Sequence, residues 1–191
     1  MKPSVAPNVI INKISAWQRY EIGSYTLITL PARHSQTEEA LLFYVERGGR
    51  GYLHMHDTAL PDEAIYSFLQ KNGAKAALVA LDCTYADRTG MPRPRHMNIE
   101  DCAEVMRALK AAGVCDEGTK FVITHFSHNS NPLTSRLKTL EEKYGAARRK
   151  VRGVFHEDFK AFFHDHAPPH DGVQILLQGG ALSSGTHSRP L

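Results

Sequence analysis

The stretch Phe121-Val122-Ile123-Thr124-His125-Phe126-Ser127-His128 constrains this chain more than any other. An apolar, β-branched run passes directly into two imidazoles and a serine. That is the pattern of a short buried strand whose C-terminal end delivers imidazoles to one place. The same grammar occurs three times upstream. Tyr25-Thr26-Leu27-Ile28-Thr29-Leu30 leads to His34, Gly51-Tyr52-Leu53-His54-Met55 leads to His56 and Asp57, and Ala77-Leu78-Val79-Ala80-Leu81 leads to Asp82. In sheet-based α/β architectures ligands collect just beyond the carboxyl ends of strands, so the pattern predicts a metal site assembled there.

The segments between the strands carry helix punctuation. Pro61 at the first helical position predicts a helix with Ala64, Ile65, Phe68 and Leu69 on one side and Gly73 past its end. Asn98 predicts the cap of a second, with Ile99, Cys102, Val105, Met106 and Leu109 inside and Gly113 as the stop. Asn131 and Pro132 open a third, with Leu133, Leu137, Leu140 and Tyr144, closed by Gly145. These are the residues that caps and stops require. Residues 20–30 read as one strand closed by Pro31. Residues 41–46 and 51–56 read as a hairpin around Arg47-Gly48-Gly49-Arg50, with the glycines that primed turns want, and residues 173–177 read as a last strand. Strand–helix alternation of this kind argues for an α/β layered domain. The organisation expected is a lead-in over 1–19, one domain over 20–177 with an irregular histidine-rich insert at about 146–170, and a flexible tail over 178–191.

The 191 residues suffice for one core. A net charge of +3, with one basic cluster at Arg148-Arg149-Lys150-Val151-Arg152, does not describe a nucleic-acid-binding protein, and an RNA-processing role ranks low. Three cysteines without C-x-x-C spacing fit reduced thiols in a cytoplasm. No apolar run approaches the ~20 residues of a bilayer span, and the first residues lack the layout of a signal peptide. Histidine, at 11, is the compositional outlier and fits metal binding.

His34, Asp57 and His125 are the metal-ligand candidates. Imidazole and carboxylate suit zinc, manganese or iron without a thiolate, and a bridging carboxylate fits two metals about 3.5–4 Å apart. Each alone is more often a hydrogen-bonded turn residue; their joint placement at strand ends favours the metal. His54 and His56 would share a face of a strand and could grip one ion, but they read here as neighbours of the ligand Asp57. His96 precedes the Asn98 cap and follows Met91-Pro92-Arg93-Pro94-Arg95. It suits a phosphate-facing general acid or charge stabiliser, or else is an exposed loop histidine. Asp82 would orient a ligand histidine, and His128 is a further supporting candidate. His164-Asp165-His166 with His170-Asp171 read as a solvated loop or a flexible metal-binding tract.

Five motifs occur in the order found in one family. They are Pro31-Ala32-Arg33-His34-Ser35, then His56-Asp57-Thr58 with Leu60-Pro61, then Leu81-Asp82-Cys83-Thr84, then His96-Met97-Asn98, then Thr124-His125-Phe126-Ser127-His128. The chain resembles metallo-β-lactamase-fold hydrolases over about 20–145 and again at Asp171-Gly172-Val173. Within them it is similar to the branch containing the phosphoribosyl cyclic phosphate phosphodiesterase of phosphonate breakdown, and more distantly to tRNA 3′-processing endonucleases. The resemblance implies an αββα sandwich with a dinuclear zinc or manganese site. His34 would complete the first metal's set, Asp57 would bridge, His125 would bind the second metal, and His96 would assist at the phosphate of a small phosphoester. The family's upstream H-x-H-x-D-H motif has no counterpart, because no histidine precedes His34. The resemblance therefore implies the C-terminal half of such a domain, completed by a missing N-terminal half or a homodimer partner. The expected function is a phosphodiesterase-type metallohydrolase, incomplete as this chain. The alternative is a non-catalytic remnant or a metal- or partner-binding module.

Overall fold

Seven strand segments build one sheet in this computed structural model, which describes residues 12–90, 92–127 and the backbone of Ala147 and Arg148. The strands are β1 (Gln18–Ile22), β2 (Tyr25–Pro31), β3 (Leu41–Arg47), β4 (Arg50–Met55), β5 (Ala76–Asp82), β6 (Lys120–Thr124) and β7 (Ala147–Arg148), and they lie in the sheet in that order. The first four pair antiparallel; from β4 onward each pair is parallel. Parallel neighbours need a crossover. Helix α1 (Glu63–Lys71) makes it between β4 and β5, and α2 (Ile99–Ala111) makes it between β5 and β6. This is the α/β alternation expected from the sequence.

The predicted hairpin at residues 41–56 is present. Gly48 and Gly49 both adopt positive φ, +57° and +75°, as a two-residue primed turn demands. Residues 20–30 form two strands rather than one, because Gly23 at φ +59° lets the chain reverse between Ile22 and Tyr25, a conformation open to glycine at little cost. The first helix starts later than Pro61 suggests. Asp62 takes an extended conformation as the cap, and Glu63 occupies the acidic first turn, where the helix dipole favours a negative charge. Asn98 caps α2 as predicted, in a reciprocal box: its side chain accepts from Asp101 N–H while the Asp101 carboxylate accepts from Asn98 N–H. Gly73 and Gly113 close the two helices at φ +71° and +66°. The expected third helix at 131–145, the strand at 173–177, the insert and the tail lie outside the described residues.

Register divides the sheet into two faces. Ile28, Tyr44, Leu53, Val79 and Phe121 form one row, and Leu42, Met55, Leu81 and Ile123 lie on the same side. These pack under Ile65 and Leu69 of α1 and Ile99, Cys102, Val105 and Leu109 of α2, all buried in one apolar cluster. At roughly 1.5–3 kcal/mol for each such side chain withdrawn from water, this cluster fixes both helices and therefore the loops that leave the strand ends. Thr29, Phe43, His54, Ala80 and Val122 form a row on the opposite face.

Candidate functional site

The parallel strands end side by side, so Asp57, Asp82 and His125 converge. Met55 pairs with Leu81, and Asp82 pairs with Thr124. Asp57 follows β4 by two residues and His125 follows β6 directly. Both turn sharply away in the left-handed region, at φ +52° and +62°. Asp and His are among the non-glycine residues that enter that region most often. His96 reaches the same point from the loop before α2. Arg93 grips Asp101 with two bonds, Nε–Oδ2 at 2.7 Å and Nη2–Oδ1 at 3.0 Å, and this two-point grip fastens that loop to the first turn. Asp57, Asp82, His96 and His125 each offer one ligand atom, all within 4.8 Å of one another.

Asp82 is fully buried and its hydrogen bonding is complete. Its Oδ2 accepts from His96 Nδ1–H at 2.7 Å and from Thr58 N–H at 3.3 Å. Its Oδ1 accepts from Thr84 N–H at 2.9 Å and from the Thr84 hydroxyl at 2.7 Å. A carboxylate has about four acceptor positions, and all are used. Burial alone would raise its pKa; the bonds from His96 and Thr84 outweigh that and hold the carboxyl below its usual value. The same bond raises the pKa of His96, against the opposing effect of burial.

Thr84 carries the effect across to His125. Its single hydroxyl proton goes to the charged Asp82 oxygen, the stronger acceptor. The 2.7 Å contact between Thr84 Oγ1 and His125 Nδ1 is then an Nδ1–H donating to the hydroxyl oxygen, a tautomer assigned from the network. That tautomer leaves the Nε2 lone pair of His125 facing Asp57 Oδ1 at 3.4 Å. Two electron-rich atoms so placed are the arrangement that a shared cation stabilises, and the donors, imidazole and carboxylate, fit a divalent metal.

His34 lies at the rim. Its Nδ1–H donates to the Arg95 carbonyl at 3.2 Å, and its ring centroid is 4.9 Å from that of His96. Its loop is tied to the Asp57 loop, since Arg33 N–H donates to Thr58 Oγ1 at 3.0 Å and Ala59 N–H donates to the Arg33 carbonyl at 2.9 Å. A cavity of about 410 Å³ opens beside it, lined by Arg33, His34, Ser35, Pro94 and Arg95 among others. The structure thus brings Asp57, Asp82, His96 and His125 together, with His34 next to His96; His128 lies outside the described residues. Sequence reasoning missed Thr84 and Thr58, although both stand inside motifs that it singled out. His56 stands beside His125 and His54 beside His56, and burial pushes the pKa values of His54 and His56 down to about 4 and about 3. Both are therefore neutral at pH 7, the state in which imidazole binds metal.

Fold and donor set together define an α/β protein with a candidate metal centre at the carboxyl ends of its parallel strands. Over residues 1–126 the chain matches the β-lactamase superfamily domain, and it belongs to that family. Among solved structures it is similar to the metallo-β-lactamase fold protein YhfI from Bacillus subtilis, with TM-score 0.52 and 13% identity, over 71% of this chain and 49% of that one. It is also similar to a possible metal-dependent hydrolase from Veillonella parvula, with TM-score 0.50 and 10% identity over 70% and 54% of the two chains. A third is the CmlA β-hydroxylase E377D mutant, with TM-score 0.52 and 14% identity over 73% and 32%. At these identities the likeness is one of fold. The chain spans about half the length of YhfI. No curated protein matches it in sequence. Among the described residues no helix is long and apolar enough to cross a membrane.

Proposed function

We propose that this chain carries part of a metal-dependent phosphodiesterase-type site, acting on a small phosphoester, with His34, Asp57 and His125 as metal ligands and His96 as proton donor. The observation that carries the reading is the 2.7 Å bond between buried Asp82 and His96 within the donor cluster. Zinc or manganese suits the donor set, and two ions are what the resemblance implies. A metal held there supplies Lewis-acid polarisation of a phosphoryl oxygen and lowers the pKa of water.

The chain's own side chains do the rest. His96 keeps one proton on Asp82 through Nδ1, so the proton it can move sits on Nε2, available to a leaving oxygen. The bond to Asp82 raises the protonated fraction of His96 and fixes the ring. Thr84 sets the His125 tautomer so that its Nε2 faces Asp57. Arg33 and Arg95 line the cavity beside His34 and support an anionic substrate.

The test is metal content by atomic emission, with turnover of bis-p-nitrophenyl phosphate, on full-length protein loaded with zinc or manganese. Retained metal with turnover, both lost in Asp57→Ala and the turnover lost in His96→Gln, is the expected result. Indifference of both readouts to Asp57→Ala overturns it. A second reading rests on the chain's spanning about half the length of YhfI: a metal- or partner-binding module without hydrolase activity, or a chain that pairs with a second copy. It expects metal below one ion per chain, no turnover, and a multimeric elution profile.

A further inference from the structure

The strand-end motif His54-Met55-His56-Asp57 holds two imidazoles that the proposed catalytic site does not use. His54 lies on the sheet face opposite the helices, in the row with Phe43 and Ala80. His56 follows two residues later, just past the end of β4, and alternation along the extended chain returns it to the same side. Their ring centroids are 4.2 Å apart, and His56 is 5.5 Å from His125. His125 is in turn 5.5 Å from His96, and His96 is 4.9 Å from His34. Five imidazoles thus run continuously along the strand ends, and Asp57 touches the middle of the run through His125 Nε2.

His54 is already oriented in the way ligating histidines are. Its Nδ1 lies 2.9 Å from the hydroxyl of Tyr52, a side chain 1% exposed on the same strand face. In the tautomer whose Nδ1–H donates to that hydroxyl oxygen, His54 presents its Nε2 lone pair for coordination, and metal-bound histidines hold this tautomer through such outer partners. Half-burial of both rings keeps bulk water from competing at each nitrogen.

We infer that His54 and His56 form an imidazole pair that binds a divalent cation of the zinc, cobalt, nickel or copper class, at a position adjoining the Asp57–His125 edge. Imidazole nitrogens select these late transition metals over magnesium or calcium. The pair stands on and just past β4 and uses neither His34 nor His96.

The test is Co²⁺ titration of metal-stripped, full-length protein, with bound metal counted by equilibrium dialysis and coordination followed by visible absorption. His54→Ala/His56→Ala is expected to bind one ion fewer than the parent, whereas His34→Ala and His96→Ala keep the ion that depends on His54 and His56. Tyr52→Phe, which removes only the hydroxyl, is expected to weaken that ion by about 10–100-fold, and His56→Gln, close to histidine in size, to lose it; should the double variant fail to fold by circular dichroism, these two decide. Unchanged stoichiometry and affinity in the folded variants, or no Co²⁺ binding by the parent, overturns the inference. Absence of phosphodiester turnover by the parent with that ion bound would overturn the hydrolytic reading alone.

Discussion

Asp82 joins His96 directly and His125 through the Thr84 hydroxyl, so one buried carboxylate orients imidazoles from two separate segments. The sequence made Asp82 a supporting residue, and its four hydrogen bonds give that reading a physical basis. Asp82→Asn keeps the volume but turns one acceptor oxygen into a donor group, which cannot hold His96 Nδ1–H as a carboxylate does. If the proposed hydrolysis operates, kcat falls about 10²-fold with little change in KM. The sign of the pH effect follows from the same bond. Asp82 raises the His96 pKa, so the variant's His96 loses its proton at lower pH and the basic limb of the rate profile moves down. A pH–rate profile of the two proteins checks this; an unmoved limb would show that another group donates the proton.

At the scale of elements, Gly51 fixes how β4 meets β5. The register shifts between Gly51 and Tyr52, and the fully buried Tyr44 hydroxyl crosses that point to bond both Lys75 N–H and the Lys75 carbonyl. A methyl group on Gly51 would stand 2.3 Å from the Lys75 carbonyl oxygen and 2.4 Å from the Tyr44 hydroxyl. Backbone cannot yield there, so Gly51→Ala is expected to destabilise by about 1–3 kcal/mol, read as a lower urea midpoint with unchanged slope. The element also shows what a sequence reveals. The Gly48-Gly49 turn and the Asn98 cap were legible because each is a local rule satisfied within four residues. The reversal at Gly23-Ser24 is just as local but lies between two stretches with the same strand-like composition, and the pairing of Ile22 with Tyr25 exposes it.

Across the whole molecule, His54 and His56 make the metal-free protein acid-labile. Their folded pKa values, about 4 and about 3, lie below the ordinary 6.5. Between roughly pH 6.5 and 4 the unfolded chain therefore binds more protons, and stability falls as pH falls. Asp82, depressed in the fold, adds a loss further into acid, as pH drops through its folded pKa. His96, its folded pKa raised, acts oppositely: its contribution is complete below about pH 6.5 and is lost as pH rises through that raised value. Urea midpoints of metal-free protein should thus decrease from pH 7 to pH 5, and His56→Gln should flatten that slope. Equal midpoints at the two pH values would contradict the burial of these imidazoles.

The sequence by itself determined that strands and helices alternate and that His34, Asp57, Asp82 and His125 stand where strands end, because side-chain periodicity and cap chemistry act over a few residues. The order of five short motifs also carried the family. Which donors meet was decided by tertiary structure alone. Thr84 and His125 lie 41 residues apart and Asp82 and His96 lie 14 apart, so their contact depends on strand order, on the parallel register of β4, β5 and β6, and on the packing that holds the α2 loop. The same register sets His56 beside His125 and turns a pair of apparent neighbours into a candidate cation site. Spacing in the chain does not fix distances between strands; the hydrogen-bonded sheet does.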